Sequence, residues 1–296
     1  MILSEADVRR LLSLRDLISA VERALAELSS GGVVQPLRTV IPVADHNGFF
    51  AVMPAYARTL GAKLVTFFPG NREVPTHHGV IVLFRPETGE PLVTMDGRLI
   101  TEMRTGAVSA AATRVLARTD AGVLAILGSG VQARSHLEAL RLVRDFREVR
   151  VWSPRRANQF AVEFDARLAD SAEDAVRGAD VVVVATTSRT PVLRGDWLSP
   201  GTHVNSVGAT RPDWRELDDA VLSRTRVFVD SREAASRESG DVIAAGRIDA
   251  EIGEVFVGKA PGRASADEIT LFKSVGVAVE DLAAADLVYR AALAQG

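Results

Sequence analysis

The segment Gly128-Ser129-Gly130-Val131-Gln132-Ala133 carries the most chemistry per residue in this chain. It fits the pattern G-x-G-x-x-G/A. The first glycine makes a tight turn, the second lets backbone approach a pyrophosphate, and a small third residue lets a helix pack close to a strand. Amides at the start of that helix, and its macrodipole, favour phosphate charge. Such a hexad alone could be a plain strand-to-helix turn. Here it follows the apolar run Val123-Leu124-Ala125-Ile126-Leu127 and opens a helical pattern, which is the context dinucleotide binding requires. Gly128 and Gly130, with Val131 behind them, are therefore candidate cofactor-binding positions.

The residues after the next strand bear on which dinucleotide. An acid there would hold the ribose 2′-hydroxyl of NAD, whereas an arginine suits the 2′-phosphate of NADP. The chain has Ser153-Pro154-Arg155-Arg156 and no acid, which points to NADPH with NADH possible. The alternative is that both arginines are solvated residues at a helix start. Two further cations stand out. Lys63 lies inside the apolar stretch Lys63-Leu64-Val65-Thr66-Phe67, where an unpaired ammonium is costly, and Arg104 lies near the start of an Ala-rich helical segment. A site for a carboxylate uses such groups, and Arg can grip it with two hydrogen bonds. Taken singly, each reads first as a structural ion pair or a snorkelling side chain. The five histidines show no metal-ligand spacing, His77-His78 reads as a loop or strand feature, and no metal is expected.

The elements that must position these groups fall into two kinds. Residues 4–29 carry apolar side chains at helical spacing, with Ser4 and Asp7 as candidate N-caps. Residues 38–95 read as short strands separated by turn signals, a mostly antiparallel sheet, and residues 97–117 as a long helix. From Gly122 on, buried strands alternate with helices, which implies a parallel sheet covered on both faces. The expected class is α/β: a Rossmann-type parallel-sheet domain plus a second α+β domain for substrate and dimerisation. The expected boundaries are 1–117 for the substrate and dimerisation domain, completed by a C-terminal helix at 270–296, and 118–269 for the NAD(P)-binding domain.

Composition narrows the class further. With no cysteine, disulfides, thiolate nucleophiles and cysteine metal sites are excluded. A net charge of -3 gives no reason to expect nucleic acid or an anionic membrane as partner. The N-terminus turns acidic at once, unlike a signal peptide, and the apolar runs are too short to span a bilayer, so a cytoplasmic protein is expected.

Several segments together resemble the ornithine cyclodeaminase and mu-crystallin family over nearly the whole chain. They are Val52-Met53-Pro54-Ala55-Tyr56, residues 63–67, the stretch from Met95-Asp96-Gly97 to Arg104-Thr105, and the glycine hexad. Residues 203–209, Arg211-Pro212-Asp213-Trp214-Arg215-Glu216-Leu217-Asp218, Glu238-Ser239-Gly240-Asp241-Val242 and residues 271–276 complete the set. The match is closest to the mu-crystallin-like members, and it implies an NADPH-dependent ketimine reductase that acts on a small imino or amino acid and forms a homodimer through the first domain. It implies further that Arg38, Lys63 and Arg104 surround the substrate carboxylate, and that Thr76, Arg104, Gln132, Ser153, Arg155, Asn158, Thr186, Val207 and Ser274 line the cofactor. Alanine dehydrogenases, cyclodeaminases and a ligand-binding protein without turnover are the rival implications. One departure is informative: cyclodeaminases carry an aspartate base where this chain has Ala209, and a methyl group cannot take a proton. Asp213, nearby in sequence, reads first as a loop or N-cap residue beside Trp214.

The Ser153–Arg155 segment generates a cofactor prediction. A charged hydrogen bond to a 2′-phosphate is worth about 1.5–3 kcal/mol, so Arg155→Ala is expected to weaken NADPH roughly tenfold or more while barely changing NADH. Fluorescence titration of both cofactors measures this, and equal affinities in the parent protein would contradict it.

Overall fold

Two sheets of different grammar account for the two kinds of strand. A computed structural model describes residues 1–295. The chain divides into one unit made of Met1–Arg104 with the chain from Val277 onward, and a second made of Thr105–Gly276.

The first unit holds a six-stranded sheet. Its strands are β1 (Ile2–Leu3), β2 (Thr39–Val43), β3 (Gly48–Tyr56), β4 (Leu60–Phe67), β5 (His77–Phe84) and β6 (Pro91–Asp96), in the order β1-β6-β5-β4-β3-β2. Strands β2 to β6 pair antiparallel with their neighbours, and β1 pairs parallel with β6. Because side chains alternate along a strand, one set is buried together: Ala51, Met53 and Ala55 of β3, Lys63 and Val65 of β4, Ile81 and Leu83 of β5, Val93 and Met95 of β6. The helix Ala278–Leu293 packs on β3, β4 and β5 and against the helix Leu14–Ser29. The latter buries Leu17, Ile18, Val21 and Leu25, a stripe at helical spacing. The segment expected as one helix from residue 4 to 29 is two, Glu5–Leu11 and Leu14–Ser29. The break arises because Ser13 is extended and its hydroxyl accepts from the Asp16 amide, starting a new helix. Ser4 caps the first through a capping box with Asp7.

The second unit holds eight strands, all paired parallel: β7 (Val123–Leu127), β8 (Glu148–Trp152), β9 (Arg167–Leu168), β10 (Val181–Val184), β11 (His203–Ser206), β12 (Arg226–Val229), β13 (Ala250–Glu251) and β14 (Thr270–Lys273). Their order is β13-β12-β14-β11-β10-β7-β8-β9. Every residue of β7, β10, β11 and β14 is buried, which explains why these strands read as continuous runs rather than alternation. From β7 the chain winds outward through β8 and β9 and then returns to β10 on the other side. Ligands of such sheets bind at the carboxyl ends of the strands, where this winding reverses. The class is α/β, as the strand–helix alternation implies.

Two boundaries differ from expectation. Residues 270–273, expected to begin the C-terminal helix, form β14 between β11 and β12, and the helix starts only at Ala278, after Gly276 at φ +74°. A fully buried Thr-Leu-Phe-Lys run is satisfied by a strand on each side, and helical periodicity cannot detect that. The other boundary falls at Arg104 and not at residue 117, within the helix Arg98–Leu116. Past it, Gly106 lies so close to the next helix that a Cβ would sit 2.6 Å from the Ser135 carbonyl oxygen. Among the described residues no helix is long and apolar enough to cross a membrane.

The glycine turn makes a stability prediction. Gly128 has φ +120°, and a Cβ there would lie 2.3 Å from the Ala185 carbonyl oxygen, whereas Gly130 has nothing within 4 Å of that position. Gly128→Ala is expected to destabilise by about 3 kcal/mol or more, and Gly130→Ala by about 0.5 kcal/mol or less. Urea unfolding of both variants checks the contrast.

Candidate active site

In the first unit Lys63 points from β4 toward the first turn of the helix Ala278–Leu293. Its Nζ lies 2.6 Å from Asp281 Oδ2 and 3.5 Å from Thr101 Oγ1. Arg104 reaches the same turn: Nε is 3.1 Å from Asp281 Oδ1 and Nη1 is 2.8 Å from Glu280 Oε2. The side chains of Lys63 and Arg104 are 3% and 7% exposed, and those of Glu280 and Asp281 are 0% exposed. Charges at this depth must enter as a compensated set, because removing one partner strands the other. Two cations and two carboxylates do so here. Both acids also occupy the first turn of their helix, where its dipole favours negative charge.

The electrostatics single out one proton. Burial lowers the Lys63 ammonium to about 8, with Asp281 opposing the shift and Arg104 and Arg38 adding to it. Burial would raise the Asp281 carboxyl, but Arg104 and Lys63 outweigh it and hold the group below its ordinary value. His77, at the start of β5, is lowered to about 4 by burial and then by the charges of Lys63 and Arg104, so it is neutral at pH 7. Lys63 is thus charged at neutral pH yet able to give up its proton close to it.

The structure brings Lys63 and Arg104 onto one shared carboxylate, with the Arg38 charge near enough to depress Lys63. Thr76 is exposed just before β5, its carbonyl accepting from the Phe68 amide at 2.8 Å. Sequence reasoning missed Glu280, Asp281 and His77. A signal for the acids existed: they are adjacent in a helix whose neighbours Val279, Leu282 and Ala284 are apolar. His77 carried none.

In the second unit the glycine turn sits at the carboxyl end of β7. The Gly128 amide donates to the Trp152 carbonyl at 2.9 Å, and the Ser129 and Ser153 hydroxyls both donate to the Arg155 carbonyl, at 2.9 and 2.7 Å. This ties the turn to the loop after β8 and leaves the Arg155 side chain exposed. Gly130 is the N-cap of the helix Val131–Leu140, with open space where a side chain would project. Gln132 Oε1 is buried and, among the described residues, has no partner. An open helix start, an exposed arginine and an orphaned acceptor fit a dinucleotide phosphate and its sugar. Asn158 is exposed on the helix Ala157–Phe164. Thr186, Val207 and Ser274 follow β10, β11 and β14 on the same carboxyl edge. Two of their hydroxyls are committed inward, Thr186 to Glu216 Oε1 at 2.5 Å and Ser274 to Asp230 Oδ2 at 2.9 Å. Ala209 is buried at φ +47° and brings no carboxylate to this edge. Asp213 is exposed in a turn beside Trp214, whose ring carries the guanidinium carbons of Arg189 and Arg211 at 4.9 and 5.2 Å. A cavity of about 600 Å³ lies at the opposite, amino edge, lined by Arg224, Arg226 and Arg247 among others. Those arginines donate to backbone carbonyls, and the cavity is remote from the glycine turn's edge.

The whole chain, residues 1–296, matches the profile of the ornithine cyclodeaminase/mu-crystallin family. It is 51% identical over 286 residues to the ketimine reductase mu-crystallin of Mus musculus, covering 92% of this chain and 91% of that protein. Among solved structures it is similar to the Thermococcus litoralis Δ1-pyrroline-2-carboxylate reductase in complex with NADH and L-proline (TM-score 0.95, 41% identity, 100% of this chain and 98% of that one). It is also similar to an archaeal alanine dehydrogenase dimer with bound NAD (TM-score 0.95, 35% identity, 100% and 96%).

The buried cluster predicts a stability effect. Asp281→Ala leaves Lys63 and Arg104 without their shared carboxylate and is expected to destabilise by about 3–5 kcal/mol. Urea denaturation at pH 7 measures this, and a loss below about 1 kcal/mol would show that the pairing is weak.

Proposed function

Because the chain belongs to the ornithine cyclodeaminase/mu-crystallin family, we propose that it is an NAD(P)H-dependent oxidoreductase that reduces the C=N bond of cyclic imines bearing an α-carboxylate. The observation that carries this reading is the buried Lys63, held on Asp281 beside Arg104 and with its pKa lowered to about 8. Such a site offers both a cation for a carboxylate and a proton for an imine nitrogen. NADPH is the preferred cofactor in this reading, resting on Ser153 and Arg155. Ketimine reduction is favoured over cyclodeamination because the segment Val207-Gly208-Ala209 lacks a carboxylate base.

The chemistry divides simply. Reduced nicotinamide, when bound, supplies the hydride. Arg38 and Arg104 hold the substrate carboxylate and orient the ring, which matters because hydride transfer needs near-contact geometry. The Lys63 ammonium gives its proton to the imine nitrogen, making the ring carbon more electrophilic. Asp281, at 2.6 Å, keeps that ammonium aimed and offsets part of its desolvation. Hydride and proton together convert the imine to the amine, and Lys63 is re-protonated from solvent. The protein acts in this reading as a homodimer, supported by the exposed apolar side chains Val40, Ile41, Tyr56 and Val80 on the first sheet.

The test follows NADPH oxidation with pyrroline-2-carboxylate and piperideine-2-carboxylate for the parent, Arg38→Ala and Lys63→Met. Arg38→Ala is expected chiefly to raise KM. Lys63→Met is expected to lower kcat about a hundredfold to ten-thousandfold if Lys63 donates the proton, and mainly to raise KM if it only binds carboxylate. A donor must be protonated to act, so the parent's kcat should be level below pH 8 and fall as pH rises through about 8. A parent that ignores both imines but reduces pyruvate with ammonia would be an alanine dehydrogenase instead.

A further inference from the structure

The second unit buries a second lysine, which the reaction above does not use. Lys273, the last residue of β14, is 0% exposed. Its Nζ donates to Ser206 Oγ at 3.1 Å and to the Gly208 carbonyl, and it lies 3.3 Å from Asp241 Oδ2 and 4.0 Å from Glu216 Oε2. Both acids are fully buried as well. Asp241 Oδ1 accepts from the Glu216 and Leu217 amides, at 3.1 Å each, which sets the Glu216 backbone. Glu216 Oε1 then takes the Thr186 amide at 2.9 Å and its hydroxyl at 2.5 Å. Gly208 packs on the same carboxyl group so closely that a Cβ would lie 2.4 Å from either oxygen. The cluster therefore touches two loops, the one after β10 through Thr186 and the one after β11 through Gly208. Both lie on the carboxyl edge, beside the point where the sheet's winding reverses.

We propose that Glu216 and Lys273 are positioning residues for the dinucleotide. The carboxylate clamps the Thr186 turn and the ammonium clamps the Val207–Ala209 turn, so that the edge is shaped before the cofactor binds. This inference rests on the cofactor reading above. The surrounding core is apolar, so a purely structural filling would have been served by apolar side chains with no desolvation penalty. Instead, three ionisable groups converge on the backbone of two loops. The clamp is charge-dependent, because a carboxylate accepts hydrogen bonds about twice as strongly as a neutral group. The groups facing Glu216 are Lys273 from β14, Asp241 from the helix Gly240–Ala245, Ser206 from β11 and Thr186 after β10. Burial, opposed by Lys273 and Thr186 and aided by Asp241, raises Glu216 to about 7. The sign follows: above pH 7 Glu216 is ionised and the clamp is tight, and below it the clamp loosens and the dinucleotide binds more weakly.

The experiment titrates NADPH and NADH into the full-length parent and Glu216→Gln by fluorescence from pH 6 to 9. NADH is included because the 2′-phosphate of NADPH itself titrates near pH 6. The parent is expected to bind NADH at least threefold more tightly at pH 8.5 than at pH 6. Glu216→Gln is expected to bind it about fivefold more weakly than the parent at pH 8.5, with a flat profile and an unchanged imine KM. Amide exchange of the parent gives a second measurement that needs no variant. Protection of residues 186–188 and 207–210, corrected for intrinsic rates, should fall between pH 8.5 and 6. A variant that keeps the parent's affinity and profile, or loops with pH-independent protection, overturns the inference and leaves the cofactor reading standing. A parent that binds neither dinucleotide overturns the cofactor reading, and this inference with it.

Discussion

An ammonium on a central strand cannot be buried unless something answers its charge, and the 2.6 Å contact between Lys63 and Asp281 is that answer. The rest of the first unit is arranged around it. Asp281 comes from a helix 218 residues further along the chain, which closes over the face shared by β3, β4 and β5. The same carboxylate takes Arg104 through Nε, and its neighbour Glu280 takes Nη1 of that guanidinium. Well-packed apolar side chains in place of buried ion pairs are often as stable or more so. In the reading proposed above, the ion pairs are a site held ready, in which one proton is loosened without being lost at neutral pH.

The second unit solves a different problem, how to present backbone to a phosphate. A sheet buried on both faces leaves its polar chemistry to the strand ends. There the turn at Gly128 approaches β10 closely, while Gly130 leaves space before the helix. Two of the loops beyond the strands are held from beneath by buried acids, and the glycine turn by hydroxyls nearer the surface. Ser129 and Ser153 share the Arg155 carbonyl, Glu216 holds Thr186, and Asp230 holds Ser274 together with the amides of Val275 and Gly276.

Family membership narrows the chemistry, and the residues refine it. The chain keeps the cations that suit an α-carboxylate and lacks an acid at Ala209, a combination that fits adding hydride to an imine better than eliminating ammonia from a diamine. Ala209 also adopts a left-handed backbone that aspartate tolerates more readily than alanine.

Much of this was legible in the residue order. The glycine hexad after an apolar run, the shift from alternating to continuous strands near Gly122, and the isolated cations Lys63 and Arg104 are local patterns. Local patterns fix secondary structure and dinucleotide chemistry because both depend on near neighbours. What lay beyond the sequence depends on distant ones. The strand Thr270–Lys273 inserts between β11 and β12, and no periodicity records which strands flank a run. Asp281 and Glu280 look like solvated first-turn acids until the sheet they face is known. Glu216, Asp241 and Lys273 look like surface charges until folding removes the water from all three. The residue types were decided by the sequence alone. Which charges would be desolvated together, and so what each proton could do, was decided only by the tertiary structure, because the energy of a buried charge is set by its neighbours in space.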